Sequence, residues 1–239
     1  MTISSIDESQ RNAAKVVGLA YLLALAPAVF AEFYVRGQLI VSNNAAETAR
    51  NIMAHERLFR LGTASNLIVF AIDVALITAL YVVLKPVHRN LALFAAFFRL
   101  IETVVLVVVV FSDFQVLRLL SGADTLRAFD AGQLQALARL SLSAHNDVYN
   151  VGLLFFGFGS PVFCYLWLKS GYIPKALAAW GALASLWVGA CALAFIVFPE
   201  ARQVVAIEYY GGPIFLFELT MGFWLLLKRL RPSGVAEVR

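Results

Sequence analysis

The chain has 239 residues, of which 61% are hydrophobic and 14% charged, and its formal net charge is +4 at pH 7. Soluble domains carry about 45–50% apolar and about 25% charged residues, so this composition excludes an ordinary water-soluble globule and makes lipid the solvent. The basic residues sort mainly to one set of loops, which serves membrane orientation and leaves no surface for nucleic acid.

Repeated apolar runs of about 20 residues, with no period-2 alternation, predict an all-α polytopic membrane helix bundle of about six transmembrane helices. A cytoplasmic tail over residues 1–12 precedes the first span, Ala13 to Tyr34. Asp7 and Glu8 in the leader, and the run on into Glu32-Phe33-Tyr34, suit a retained anchor better than a cleaved signal. Asn44 to Met53 reads as a short capped helix. The second and third spans are Leu58 to Leu84 and Leu91 to Phe111, forming a hairpin that turns near Val87 and His88. Asp130 to Leu142, with Leu134, Leu137 and Leu140 beside polar positions, reads as a separate helix along the membrane interface.

The fourth span, Val148 to Leu168, contains Gly157, Gly159 and Pro161, which together with Pro27 in the first span predict kinks. The fifth, Ala176 to Phe198, carries Gly181, Ser185 and Gly189 at every fourth residue. That face lets another helix approach closely, for packing inside the bundle or for an oligomer. The sixth is Ile214 to Leu230, closing a membrane domain over residues 13–231, with a cytoplasmic tail over 232–239. Cys164 and Cys191 lie inside apolar runs and read as small hydrophobes. Tyr81 to Lys85 and Tyr165 to Lys169 end spans alike, as either hairpin duplication or the usual aromatic and lysine boundary produces.

Orientation follows from the short loops. Lys85, Arg89, Lys169, Lys175, Lys228, Arg229 and Arg231 fall on the side of Arg11 and Lys15, which predicts an inner-membrane protein with both termini in the cytoplasm. Arg36, Arg50, Arg57, Arg127, Arg139 and Arg202 lie in the longer opposite loops, offset by Glu47, Glu56, Asp124, Asp130, Glu200 and Glu208.

An ionisable group inside a span costs about 2.5–3.5 kcal/mol on insertion scales, so it needs a partner or a purpose. Counting outward from the hairpin turn puts Asp73 and Glu102 at one level, with Arg99 one turn nearer the cytoplasm. Arg99 and Glu102, spaced i, i+3, share a helix face, and Asp73 closes a triad around the guanidinium. Two carboxylates against one arginine leave surplus negative charge, which a bound proton or a transported cation matches; a static ion-pair lock between the spans is the structural alternative. A second set gathers toward the outer surface: Glu32, His55, Glu56, Arg60, His145, Asp147 and Glu218. His55, His145, Glu32 and Glu218 are candidate ligands for a metal such as zinc with an open coordination position, although no His-Glu-x-x-His spacing is present. Capping and acid-arginine pairing account for the same residues without a metal. Ser160, next to Pro161, reads as a backbone hydrogen-bond partner.

Several blocks together resemble a bacterial membrane family, the domain-of-unknown-function family 4386. They are Ala31-Glu32-Phe33 with Arg36, His55-Glu56 followed by Leu58 to Gly62, Leu84-Lys85-Pro86-Val87 with Arg89, and Phe97-Phe98-Arg99-Leu100. Leu154 to Gly157, Ser170-Gly171-Tyr172 with Pro174, and Phe217-Glu218 with Trp224 to Leu226 complete the pattern. The resemblance implies a multi-span helical fold and carries no catalytic or binding residues with it. Residues 120–142 and 199–212 show no matching pattern.

Three functional expectations follow. The first is a polar pocket or pathway for a small solute or proton centred on Asp73, Arg99 and Glu102. The second is a membrane-embedded metal-dependent enzyme using Glu32, His55, Glu56, His145 and Glu218. The third is a non-catalytic membrane accessory protein.

Overall fold

Backbone facing lipid has no outside hydrogen-bond partner, so each apolar run closes its own bonds as a helix. The computed structural model describes residues 6–42, 44–122, 128–228 and 230–231, and among these no strand occurs. The helices are α1 (Glu8–Val29), a π-helical segment (Phe30–Val35), α2 (Arg36–Leu39), α3 (Ala45–Ala54), α4 (Glu56–Leu84), α5 (Arg89–Leu120), α6 (Ala131–Ser170), α7 (Lys175–Val197), α8 (Ala201–Val204) and α9 (Ile207–Leu227). Six stretches are long and apolar enough to cross a membrane: Glu8–Leu39, α4, α5, α6, α7 and α9. Large side chains such as Leu183 (69% exposed), Phe111 (62%) and Leu227 (74%) point out of the protein, as a lipid-facing surface requires. Asp124, Arg127, Arg229, residues 1–5 and the tail 232–239 lie outside the described residues.

The chain packs as two compact units. Unit 1 comprises Met1–Leu25, Ile72–Thr103 and Asn150–Arg239; unit 2 comprises Ala26–Ala71 and Val104–Tyr149. The core of unit 1 is built from Val17, Leu76, Leu80, Val83, Leu84, Leu166, Trp167, Tyr172, Met221 and Leu225 among others. At one end of it the buried Gln10 amide donates to the Val83 carbonyl (3.0 Å) and to the Tyr172 hydroxyl (3.3 Å), and the Arg231 amide donates to the Tyr172 carbonyl (2.9 Å). These bonds gather the start of α1, the end of α4, the turn after α6 and the residues after α9. That turn opens at Gly171 with φ +68°, the left-handed conformation that ends a helix at no steric cost to glycine. Unit 2 has an apolar core of Val35, Leu39, Ile52, Phe59, Val116, Leu117, Ala138 and Leu142, and a second cluster of Phe70, Leu106, Val109 and Val110.

Several expectations change. The leucines of Asp130 to Leu142 do not form a separate interfacial helix, because Asp130 caps the start of α6 by accepting from the Gln133 amide (2.8 Å) and the helix continues to Ser170. Its 40 residues span about 60 Å, twice a hydrocarbon core, so the helix extends beyond the lipid. Gly157 and Gly159 serve close approach: a Cβ on Gly157 would lie 2.4 Å from the Gly189 Cα, and one on Gly159 would lie 3.0 Å from the Ala95 carbonyl oxygen. The Gly181, Ser185 and Gly189 face is accordingly filled from within unit 1, with Phe217 and Cys164 against Gly181 and Gly157 against Gly189. Both cysteines are free thiols.

α9 begins at Ile207, seven residues ahead of the expected Ile214, because Pro213 is absorbed into the helix. Proline removes the hydrogen bond that would reach the carbonyl four residues back, here Tyr209. The Trp187 indole of α7 donates to that carbonyl at 3.1 Å and replaces the missing partner.

The short α3 matches the capped helix expected from sequence, and the Asn44 side chain accepts from the Glu47 amide at 3.0 Å. Asn44→Ala removes that acceptor and costs about 1 kcal/mol, so hydrogen exchange in the first turn of α3 should accelerate about fivefold.

Candidate functional site

Each unit encloses a cluster of charged side chains. In unit 1, α5 presents Arg99 and Glu102 one turn apart, and the guanidinium donates to the Glu102 carboxylate at 2.6 Å. Asp73 on α4 lies 3.7 Å from the other guanidinium nitrogen, while the Phe156 ring of α6 stacks 4.6 Å from the guanidinium carbon. The structure thus brings Asp73, Arg99 and Glu102 together. Arg99 and Glu102 are each 4% exposed, which withdraws the pair from solvent screening.

Beside Arg99 lies a narrow cavity of about 10 Å³, room for about one water, lined also by Tyr21, Ser160, Cys164, Ser185 and Glu218. Glu218 sits within electrostatic reach of Arg99 and Asp73 and makes no ion pair within 4.0 Å among the described residues. The Ser185 hydroxyl donates back to the Gly181 carbonyl at 2.7 Å, a helix-internal bond that leaves its oxygen able to accept. One guanidinium therefore faces three carboxylates, a formal excess of two negative charges when all are ionised.

In unit 2, Arg36 is the hub. Its guanidinium lies 3.5 Å from Glu32 and 3.7 Å from Asp113 of α5. The buried His145 of α6 brings its Nδ1 to 3.0 Å from Asp113 and 3.2 Å from Arg36, and its Nε2 to 3.9 Å from Glu32. From α4, Thr63 donates to Asp113 and Asn66 to Glu32, both at 3.2 Å. Glu32 lies in the π-helical segment, where the Arg36 amide bonds five residues back to Ala31.

The outer set expected from sequence is therefore divided. Glu32 and His145 meet, but Glu218 belongs to the cavity of unit 1. His55 is exposed at the end of α3, with its ring against the Asn51 carbonyl (3.2 Å). Glu56 and Arg60 form an exposed pair at 2.7 Å, and Asp147 is exposed. Among the described residues no three of His, Cys, Asp and Glu are placed to hold one metal ion. The expected ligands His55, His145, Glu32 and Glu218 do not converge: Glu32 and His145 are taken up in the Arg36 cluster, His55 turns back on the Asn51 carbonyl, and Glu218 lines the cavity of unit 1.

Against known proteins, residues 16–228 match the profile of a family described as a domain of unknown function, DUF4386. The chain belongs to that family. An uncharacterized protein of Archaeoglobus fulgidus is similar to it, with 24% identity over 170 residues covering 71% of this chain and 85% of that protein. No solved structure matches. In this DUF4386 member, Asp113, Asn66, Thr63 and Tyr21 are site residues that the sequence reading missed. Asp113 escaped because the third span was ended at Phe111, whereas α5 runs to Leu120 and carries Asp113 with it.

Proposed function

We propose that this multi-pass membrane protein resides in an inner membrane with both termini cytoplasmic, and that its unit 1 centre binds a proton or a single small cation as part of a pathway. One observation carries this reading: the Arg99 guanidinium is held by Asp73 and Glu102, while a third acid, Glu218, lines the small cavity beside it. Buried surplus charge is costly, and a bound positive species offsets it. A cavity with room for about one water favours a proton or bare ion over a larger solute. Among the described residues Glu218 makes no ion pair within 4.0 Å, so its carboxylate is the group that accepts the incoming charge. Asp73, held at 3.7 Å from Arg99, competes for the same guanidinium and sets how far Arg99 turns toward Glu218. The cytoplasmic assignment rests on Arg11, Lys15, Lys85, Arg89, Lys169 and Lys175 flanking the same span ends.

The test is ion flux in proteoliposomes at a fixed potential, with an entrapped pH dye for protons and separate sodium and potassium gradients. The wild-type chain should conduct one of these ions, and Glu218→Gln and Asp73→Asn should each lower that flux at least tenfold while the variants remain folded. Wild-type liposomes no leakier than empty ones, or unchanged flux in both variants, would overturn the proposal.

A further inference from the structure

Within unit 2, where α4 starts and α5 stops, a surface groove of about 340 Å³ is lined by Arg60, Phe114, Leu117, Arg118 and Ser121. That size lies in the range of small-molecule sites, about 300–1,000 Å³, and is far more than one ion needs. The floor is apolar, since Leu117 belongs to the unit 2 core and Phe114 lies beside it. The rim is basic. Arg60 gives its Nε hydrogen to Glu56 at 2.7 Å, which leaves the four terminal N–H groups of the guanidinium for another acceptor. Arg118 makes no ion pair within 4.0 Å among the described residues. The two arginines and Glu56 together carry one positive charge, the complement of a single phosphodiester.

Helix length sets the depth of the groove. α4 has 29 residues and α5 has 32, about 44 and 48 Å, so each covers a whole bilayer with its headgroups, about 40–45 Å. Arg60 in the second turn of α4 and Arg118 in the last turn of α5 therefore stand among the headgroups. From each arginine an exposed apolar stripe runs back toward the hydrocarbon. On α5 it is Phe114 and Phe111, four and seven residues before Arg118; on α4 it is Ala64 and Leu67, four and seven residues after Arg60. A free anion uses only the basic rim, whereas a phospholipid supplies an anion to the rim and a chain to the stripes.

We propose that this groove binds an anionic phospholipid, its phosphodiester held between the Arg60 and Arg118 guanidiniums and an acyl chain lying along Phe114 and Phe111. The site lies wholly in unit 2 and stands apart from the Arg99 centre and from any flux through it.

The test is native mass spectrometry of the full-length chain released from nanodiscs made of equal parts phosphatidylcholine and phosphatidylglycerol. The wild type should retain phosphatidylglycerol in preference to phosphatidylcholine, and added sodium chloride should weaken that preference, because exposed charges are screened. Arg60→Gln combined with Arg118→Gln should lower the retained phosphatidylglycerol at least fivefold. Arg57→Gln removes an exposed arginine outside the groove and should leave it unchanged. Equal retention of the two lipids by the wild type, a preference insensitive to salt, or full retention by the double variant would overturn the inference. Displacement of the lipid by millimolar inorganic phosphate would overturn it too, by making the groove a site for a soluble anion.

Discussion

Replacing Arg99 with Met should cost about 3–5 kcal/mol, because Glu102 and Asp73 would be left as buried charges without a counter-ion. The loss appears as a lower unfolding midpoint in mixed detergent titrations. Much of that cost is the penalty on the abandoned acids, so adding Glu102→Gln to Arg99→Met should recover at least half of it. If the double variant is as unstable as the single one, the guanidinium stabilises through Phe156 and packing rather than through its ion pairs. Arg60→Met provides the contrast. Its bond to Glu56 is as short, at 2.7 Å, but both side chains are about half exposed, and the change should stay within about 0.5 kcal/mol.

Gly157→Ala should be comparably damaging although it adds a single methyl group. The new carbon would stand 2.4 Å from the Gly189 Cα, a backbone atom that cannot rotate aside, so α6 and α7 must separate. We expect a loss of about 3 kcal/mol and a marked fall in the fraction that survives extraction as a monodisperse, folded species. Gly37→Ala has nothing within 4 Å of the added carbon and should be neutral or slightly stabilising. Equal behaviour of the two variants would show that α6 and α7 are not in backbone contact.

The helices and the Arg99 triad were legible because both depend on local spacing. Apolar runs define spans, an i, i+3 pair shares a face, and a short hairpin turn fixes which level on α4 opposes which on α5. The rest depended on helix ends, where sequence is weakest. Starting the sixth span at Ile214 placed Glu218 about one turn inside it, but with α9 starting at Ile207 it lies three turns in, lining the cavity beside Arg99. What hid this was the Trp187 bond to the Tyr209 carbonyl, a contact between distant residues that no local pattern announces. Ending the third span too early, and starting the fourth too late, likewise concealed that Asp113 and His145 ride on continuous helices.

The threading of the two units through the chain also orders their biosynthesis. Every residue of unit 2 has been translated once Tyr149 leaves the ribosome, whereas unit 1 waits for everything from Asn150 onward. At about 5–20 residues per second, the first span spends seconds in the membrane before Tyr172 emerges to receive the Gln10 amide. During that interval the Gln10 amide has the Val83 carbonyl but not yet the Tyr172 hydroxyl, while Asp73, Arg99 and Glu102 already have one another on α4 and α5, and a stall late in translation leaves unit 2 fully translated with unit 1 half built.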